Sequence, residues 1–325
     1  MAEPSLTTHG RSFDISYMEV NGPLNLDATV LSAQTSEPEW LRNGPSFRDV
    51  EELAGVPVEY TVNQAGSVDR FLINVRLVSA VSAKSLLQEV KSHLSKVLGL
   101  RDNIESFYRR YSDEGEPLSG TFPKLRGLRL MRGTNLYESL ICSILSQNNS
   151  AGLWNRTARL VMQYYGRRVD FPGGSMAFRF PDPHTLAKIS PKQLQAITSM
   201  GYRARPVVEV SGLIVRGELQ LDEIVQCPYE EAMEILLELP GIGPKVADCF
   251  LLYGAGKLEA APVDVWIRRI VSELYFRGRR ISPLKAGRFL RDRFGEWAGY
   301  AQLYLFDYAR RRAAEPTRKI KPSRV

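Results

Sequence analysis

Cysteine and histidine are scarce in this chain of 325 residues, which contains only three of each. The cysteines, Cys142, Cys227 and Cys249, are too few for a disulfide scaffold, and their spacing excludes a four-thiolate zinc or iron–sulfur site. The histidines lie far apart in the sequence, so an active site centred on histidine is a poor prediction. We therefore expect neither an iron–sulfur cluster nor a required cofactor. We also expect the reactive groups to be of other types.

Long apolar segments are also lacking. No hydrophobic run reaches the roughly 20 residues that a membrane-spanning helix needs. The N-terminal residues 1–5 show no basic region followed by an apolar one. The apolar fraction of 44% and the charged fraction of 24% are typical of a globular protein. We expect an intracellular protein with no membrane partner, long enough for two or three domains.

Negative charge is in deficit, with 36 Asp and Glu against 43 Lys and Arg and a formal net charge of +7. Most of the excess lies in residues 310–325, where seven basic residues face Glu315 alone. They are Arg310, Arg311, Arg312, Arg318, Lys319, Lys321 and Arg324. Such an end is either a solvated tail or a contact for an anionic partner such as nucleic acid.

Strand patterns come first in the chain and helical patterns follow. Residues 60–63 and 70–78 carry β-branched and aromatic side chains with partial alternation, and Gln64-Ala65-Gly66-Ser67 suits a hairpin turn between them. From Ser82 the apolar spacing becomes helical. Helices are predicted from the patterns at 82–90, 136–165 with a break at 146–150, 190–194, 229–239, 245–253, 265–275, 282–294 and 298–312. We predict an α+β protein with an N-terminal antiparallel β-containing domain (1–132), an all-helical body (133–313) and a basic tail (314–325).

The segment 239–245, Leu-Pro-Gly-Ile-Gly-Pro-Lys, joins two predicted helices. Pro240 ends the first helix, while Gly241 and Gly243 permit unusual backbone angles and a close approach by another backbone. The second helix begins near Pro244, and its free N–H groups form a phosphate site. Leu-Pro-Gly-Ile-Gly is a more specific sequence than a generic turn needs. We therefore favour the phosphate site over a plain helix–turn–helix corner that binds nothing. Outward carbonyl oxygens could share a monovalent cation with that phosphate, and the candidates are Leu237, Leu239 and Ile242.

Lys245 and Asp264 add reactive groups to this turn. The positive helix end and any burial disfavour the charged ammonium of Lys245. A neutral amine can attack the anomeric carbon of a sugar and form a Schiff base. Asp264 precedes the predicted helix 265–275, where alone it would be an N-cap contributing about 1 kcal/mol. Together with Lys245, its carboxylate can also stabilise positive charge that develops on a sugar ring.

Residues 239–249, followed by Val263-Asp264-Val265, resemble the helix-hairpin-helix/Gly-Pro-Asp (HhH-GPD) superfamily of DNA glycosylases. The run Pro-Gly-Ile-Gly-Pro-Lys-Val-Ala-Asp-Cys resembles its 8-oxoguanine DNA glycosylase/AP-lyase branch. The likeness continues through 140–149, 200–205 and 297–306. It implies a monomer that acts where the DNA is, in a nucleoid or nucleus, and flips a damaged base out of double-stranded DNA. The implied reaction removes 8-oxoguanine opposite cytosine and nicks the strand by β-elimination, with Lys245 as nucleophile and Asp264 stabilising the developing charge.

The resemblance also implies a base-binding pocket. Cys249 and Phe306 would sandwich the purine, and Gln302 would hydrogen-bond its Watson–Crick edge. Gln302 and Phe306 are four residues apart, so one helical face can present both. Without the resemblance, Phe306 would be read as a core residue and Gln302 as its solvated neighbour.

Three further residues are implied to contact the strand opposite the lesion. Asn148 and Arg203 would hold the cytosine that loses its partner, because both offer planar donors to a base edge. Tyr202 would act as a wedge beside it. Taken alone, Asn148 could cap a loop and Arg203 could be a surface charge.

The chain departs from the family pattern at positions that concern selectivity. Relatives place a glycine carbonyl against the base where Ser32-Ala33-Gln34-Thr35-Ser36 has Ala33, and an aromatic residue is missing at Ser36. Trp266 stands where many relatives have a histidine, and Leu153 where a second cytosine-contacting arginine is expected. Two alternatives therefore stay open: a glycosylase for alkylated or other modified purines, and a non-catalytic DNA-binding protein that uses the hairpin alone.

Overall fold

The structure is a computed structural model in which an N-terminal sheet precedes a mostly helical body. The residues it describes are 9–32, 38, 40–81, 84–171 and 174–314. Ala33, Ser36 and residues 315–325 of the predicted tail lie outside them. Within the described part of the chain, no helix combines the length and apolarity needed to cross a bilayer.

Five antiparallel strands form the N-terminal sheet, in the spatial order β1-β5-β4-β3-β2. The strands are β1 (His9–Ser16), β2 (Leu41–Asn43), β3 (Ser46–Leu53), β4 (Val56–Gly66) and β5 (Phe71–Ser79). Alternate residues of β5 are buried, as expected for a strand with one face against a core. Helix α2 (Lys84–Val97) contributes Leu86, Val90 and Leu94 to that core. The predicted antiparallel β-structure at the N-terminal end is confirmed.

The turn between β4 and β5 lies three residues later than the sequence pattern predicts. Strand β4 continues to Gly66, and the turn is closed where Ser67 N–H donates to the Arg70 carbonyl oxygen at 3.0 Å. Gln64, placed in the turn by the sequence pattern, instead uses its side chain to accept from Leu26 N–H (2.7 Å) and donate to the Leu24 carbonyl (2.9 Å). These long-range hydrogen bonds keep Gln64 in the strand.

Helices make up most of the body. In chain order the helices other than α2 are α1 (Leu26–Val30), α3 (Ile104–Arg110), α4 (Phe122–Leu125), α5 (Leu136–Leu145), α6 (Ala151–Tyr165), α7 (Pro183–Ala187), α8 (Pro191–Thr198), α9 (Ala204–Val215), α10 (Leu221–Gln226), α11 (Tyr229–Leu237), α12 (Pro244–Cys249), α13 (Val265–Tyr275), α14 (Pro283–Phe294) and α15 (Ala298–Ala314). A π-helical turn, Phe250–Gly254, continues α12. The prediction of a helical body after the sheet is confirmed, with one departure: a short hairpin of β6 (Arg168–Asp170) and β7 (Met176–Phe178). Its three-residue strands are too short to show alternation.

Two hydrophobic cores correspond to these two parts of the fold. One core lies between the sheet and α2, and the other lies among the helices of the body. The division into domains at residues 132 and 133 stays a prediction. Fully buried Arg129 joins the segments around the two cores, because its guanidinium donates to five backbone carbonyls. They belong to Asn21, Gly22, Pro23, Gly99 and Asp102.

Replacing Arg129 by lysine is expected to lower the free energy of unfolding by about 3 kcal/mol or more, because one ammonium cannot reach all of these carbonyls. Denaturant unfolding measures the change. Arg156→Lys on the exposed side of α6 is the matched control and should differ little from the unaltered protein. A loss below about 1 kcal/mol for Arg129→Lys would contradict this account of the buried guanidinium.

Candidate active site

The glycine-containing turn connects α11 to α12, as the sequence predicts. Gly241 has φ +73°, and a Cβ there would lie 2.4 Å from Pro206 Cγ, so both backbone angle and space require glycine. Gly243 has φ −103° and is the N-cap of α12, and a Cβ there would meet nothing within 4 Å. Gly243 therefore leaves the first turn of α12 open to a ligand. A phosphate fits there because the first N–H groups of a helix lack intrahelical partners.

Lys245 and Asp264 line one cavity of about 120 Å³ together with Cys249, Gln302 and Phe306. Lys245 and Cys249 come from consecutive turns of α12, and Asp264 is the N-cap of α13. Gln302 and Phe306 lie on successive turns of α15. The residues that sequence and resemblance point to for base chemistry therefore meet in space.

The amine of Lys245 is held by a serine. Its Nζ donates to Ser146 Oγ at 2.8 Å, and the Ser146 hydroxyl in turn donates to the Ser143 carbonyl oxygen at 2.8 Å. Because the Ser146 proton is committed to Ser143, a lone pair remains to accept from the amine. Ser146 ends α5 at the break that the sequence predicts, but only its three-dimensional position shows this contact.

The carboxylate of Asp264 caps a helix and also lines the cavity. Its Oδ1 accepts from the backbone N–H of Ile267 at 2.8 Å, which is the N-cap bond expected from the sequence. It also lines the cavity with Lys245. Burial raises the pKa of Asp264 above its ordinary value, while the Ile267 N–H and the positive charge of Lys245 act in the opposite direction. A carboxylate so placed can stabilise a cation in the cavity.

Cys249, Gln302 and Phe306 form part of the remaining cavity wall. Burial raises the pKa of the Cys249 thiol, while its hydrogen bond to Lys245 and the positive charge of Lys245 act in the opposite direction. Gln302 is 3% exposed, so it is not a solvated neighbour of Phe306, and the Tyr253 hydroxyl donates to its Oε1 at a long 3.5 Å. Tyr253 and Trp154, neither of which the motifs single out, also line the cavity.

The predicted opposite-strand residues form one cluster. Asn148 has φ +48°, and its Nδ2 donates to the Tyr202 hydroxyl at 3.1 Å; Tyr202 is 56% exposed. The Arg203 guanidinium lies 4.6 Å from the Tyr202 ring centroid. It donates to the carbonyls of Gln147 (2.8 Å), Met200 (3.1 Å) and Asn148 (3.2 Å). Arg203 is therefore not a free surface charge: it fixes the loop carrying Asn148, and its contact with a base stays a prediction.

The segment that leads to Ala33 is attached near the cavity. The Arg310 guanidinium lies 6.0 Å from the Phe306 ring centroid and donates to the Leu31 carbonyl at 3.0 Å. Ala33 itself lies outside the described residues, so its predicted contact with the base stays a prediction.

Removing the Ser146 hydroxyl is expected to slow covalent chemistry at Lys245 by roughly 5- to 10-fold, the effect of one lost hydrogen bond of about 1 kcal/mol. The rate of borohydride-trapped adduct formation on a damaged duplex measures this. Ser143→Ala removes a hydroxyl from the same cavity, one that donates to the Ser139 carbonyl and not to Lys245, and should leave the rate nearly unchanged. Equal rates for Ser146→Ala and Ser143→Ala would refute the positioning role of Ser146.

The chain is similar to several known proteins. The family model described as "HhH-GPD superfamily base excision DNA repair protein" matches residues 141–296. A "Probable N-glycosylase/DNA lyase" of Methanothermobacter thermautotrophicus is 36% identical, covering 89% of this chain and 95% of the relative. The "N-glycosylase/DNA lyase OGG1" of Arabidopsis thaliana is 30% identical, covering 87% and 79%. In fold, the chain is similar to the Clostridium acetobutylicum 8-oxoguanine glycosylase/lyase in complex with DNA containing cytosine opposite 8-oxoguanine (TM-score 0.77, 24% identity, covering 94% and 98%).

Proposed function

Because this chain belongs to the HhH-GPD superfamily of base excision DNA repair proteins, related along most of its length to N-glycosylase/DNA lyases, we propose that it removes 8-oxoguanine from double-stranded DNA and then nicks the strand. The observation that carries the proposal is that Lys245 and Asp264 line one cavity together with Cys249, Gln302 and Phe306. A protein that only grips DNA needs neither the amine nor the carboxylate.

The reaction follows from the placement of these groups. The damaged nucleotide leaves the duplex, and its base enters between Cys249 and Phe306. As the C1′–N9 bond breaks, positive charge on the sugar is stabilised by the Asp264 carboxylate, and the departing base carries away the bond electrons and takes up a proton. The Lys245 amine bonds to C1′, and opening of the sugar ring gives a Schiff base. Loss of a C2′ proton then expels the 3′ phosphate, which nicks the strand.

The choice of lesion and of opposite base rests on a second set of contacts. Gln302 would read the Watson–Crick edge, and the Ala33 carbonyl would accept the N7 proton that distinguishes 8-oxoguanine from guanine. Asn148, Tyr202 and Arg203 would receive the opposite cytosine. The Clostridium relative bound to DNA with that pair supports cytosine as the opposite base.

No cofactor takes part in this scheme, because the amine and the carboxylate supply the chemistry. We propose that a monovalent cation helps the hairpin hold a phosphate. The carbonyls of Leu237 and Leu239 lie at the C-terminal end of α11, where partial negative charge collects, and Ile242 follows in the turn. The donor set of neutral oxygens fits a monovalent ion. The protein would act as a monomer, wherever the cell keeps its DNA.

Excision assays across a lesion panel test the function. Duplexes carry 8-oxoguanine opposite each of the four bases, with 3-methyladenine and hypoxanthine as competing substrates. We expect the largest rate with 8-oxoguanine opposite cytosine. Faster release of 3-methyladenine would favour the alkylpurine alternative, which Ala33 and Ser36 motivate. Tight binding with no base release would favour a DNA-binding protein without catalysis.

A further inference from the structure

Asp248 is a buried carboxylate that the reaction scheme leaves without a role. It lies on α12, three residues after Lys245 and one before Cys249, and is 4% exposed. Its Oδ1 accepts from the Tyr229 hydroxyl of α11 at 2.8 Å, and its Oδ2 lies 3.7 Å from Arg291 Nη1 of α14. The carboxylate also accepts from the backbone N–H of Ala261. One side chain thus connects three helices and a loop.

The loop that Asp248 holds is the one that delivers Asp264. Ala261 opens the segment Ala261-Pro262-Val263-Asp264, in which Pro262 restricts the backbone. Helix α14 closes on the same segment from the other side, where a Cβ on Gly287 would lie 3.5 Å from Val263 Cγ2 and 3.9 Å from the Ala261 carbonyl oxygen. The segment is therefore fixed between α12, which carries Lys245, and α14.

Stability does not explain an ionised group at this place. Burial raises the pKa of Asp248 to about 6, although Tyr229, Arg291 and the Ala261 N–H act in the opposite direction. An acid whose pKa is raised on folding costs stability as pH increases from its unfolded value through the folded one. At neutral pH the Asp248 charge is therefore a net cost to the fold, and such costs are common where a group serves function.

We propose that Asp248 is a positioning residue that fixes the Asp264 loop to the Lys245 helix and so sets the two reactive groups relative to each other. Its effect on base excision rests on the proposed function, whereas its effect on the loop does not. Displacements of about 1 Å at a reacting centre can cost on the order of 10²-fold in rate, so loosening this connection should be visible in chemistry.

The chain contains a matched control for Asp248. Glu116 is 6% exposed and, like Asp248, contacts one tyrosine and one arginine. The Tyr275 hydroxyl donates to it, and Arg293 Nε donates to it at 2.9 Å. The arginine also lies over the tyrosine ring in both sets, at 5.6 Å for Arg293 and 5.2 Å for the Asp248 set. Tyr275 is the last residue of α13, about 16 Å along the helix from Asp264 at its start.

Single-turnover excision at saturating enzyme compares Asp248→Asn with Glu116→Gln. We expect a 10- to 100-fold slower rate for Asp248→Asn and less than about a two-fold change for Glu116→Gln, with similar affinity of both for undamaged duplex. Thermal stability at pH 7 should not fall in Asp248→Asn. An unchanged rate in Asp248→Asn, or an equal loss in Glu116→Gln, would overturn the proposal.

Hydrogen exchange supplies a readout that needs no activity. The amides of Ala261 and of residues 263–267 should exchange faster in Asp248→Asn than in the unaltered protein, and not in Glu116→Gln. If the unaltered protein excises no base, the proposed function is wrong. The exchange comparison still tests whether Asp248 fixes the Asp264 loop to the Lys245 helix. Tyr229→Phe, paired with Tyr275→Phe, repeats the comparison with a smaller change should Asp248→Asn fold poorly. Unchanged exchange at these amides in both altered proteins would refute the connection.

The pH profile separates positioning from a general loss of structure. The groups that face the Asp248 carboxylate are Tyr229, Arg291 and the Ala261 N–H, with Lys245 and Cys249 on its own helix. Protonation of Asp248 should slow excision as pH falls through about 6. Asp248→Asn should lose that inflection and keep any that belongs to Asp264. An identical inflection in both proteins would contradict the role of Asp248.

Discussion

Lys245→Gln should form no borohydride-trapped adduct and leave the DNA strand uncut, even with the damaged duplex fully bound. Glutamine keeps a polar side chain in the first turn of α12 but has no amine to attack C1′. Loss of a nucleophile of this kind costs on the order of 10³-fold or more in rate. Base release should fall with it, because attack by the amine accompanies departure of the base. Gel-shift binding should change little.

Lys192→Gln is the control for this prediction, since Lys192 is exposed on α8, outside the cavity. It should retain both adduct formation and nicking. An adduct that persists in Lys245→Gln would mean that another amine forms the Schiff base, and the assignment of the nucleophile would be wrong.

Asp264→Asn should slow base excision by roughly 10²- to 10³-fold without unfolding the protein. The amide is neutral and cannot stabilise the sugar cation. It should still cap α13, because asparagine and aspartate are similarly effective N-caps that accept from the Ile267 N–H. Single-turnover kinetics measure the rate, and thermal unfolding measures the fold.

Asp182→Asn separates the two roles of an N-cap aspartate. Asp182 caps α7 by accepting from the Thr185 N–H at 2.8 Å, as Asp264 caps α13, but it does not line the cavity. Both substitutions should change stability by a few tenths of a kcal/mol at most. If Asp264→Asn excised the base as fast as the unaltered protein, as Asp182→Asn should, Asp264 would be only a structural cap.

Local sequence signals predicted the elements that carry the chemistry. Helix α13 begins where Asp264 predicts a cap, because an N-cap bond spans only three residues. Gly241 has the positive φ that its place in the hairpin suggests. Caps and turns can be predicted from the sequence because the residues that form them lie within one helical turn of each other.

Contacts between distant residues could not be read in the same way. The bond from Lys245 to Ser146 spans 99 positions, and no local pattern marks a serine as the partner of a lysine. Gln302 and Phe306 were placed by family resemblance, since their spacing alone indicates only a shared helix face. Arg203 is a second contact that the sequence could not predict. Its guanidinium binds the backbone of the loop around Asn148, and no residue pattern indicates this contact.

Peptide mapping of the trapped adduct tests the central claim most directly. The protein is incubated with an 8-oxoguanine duplex in the presence of borohydride, digested, and the modified residue is identified by mass spectrometry. We expect a reduced sugar adduct on Lys245 in the unaltered protein. An adduct on a different lysine, or base release with no adduct at all, would contradict the account.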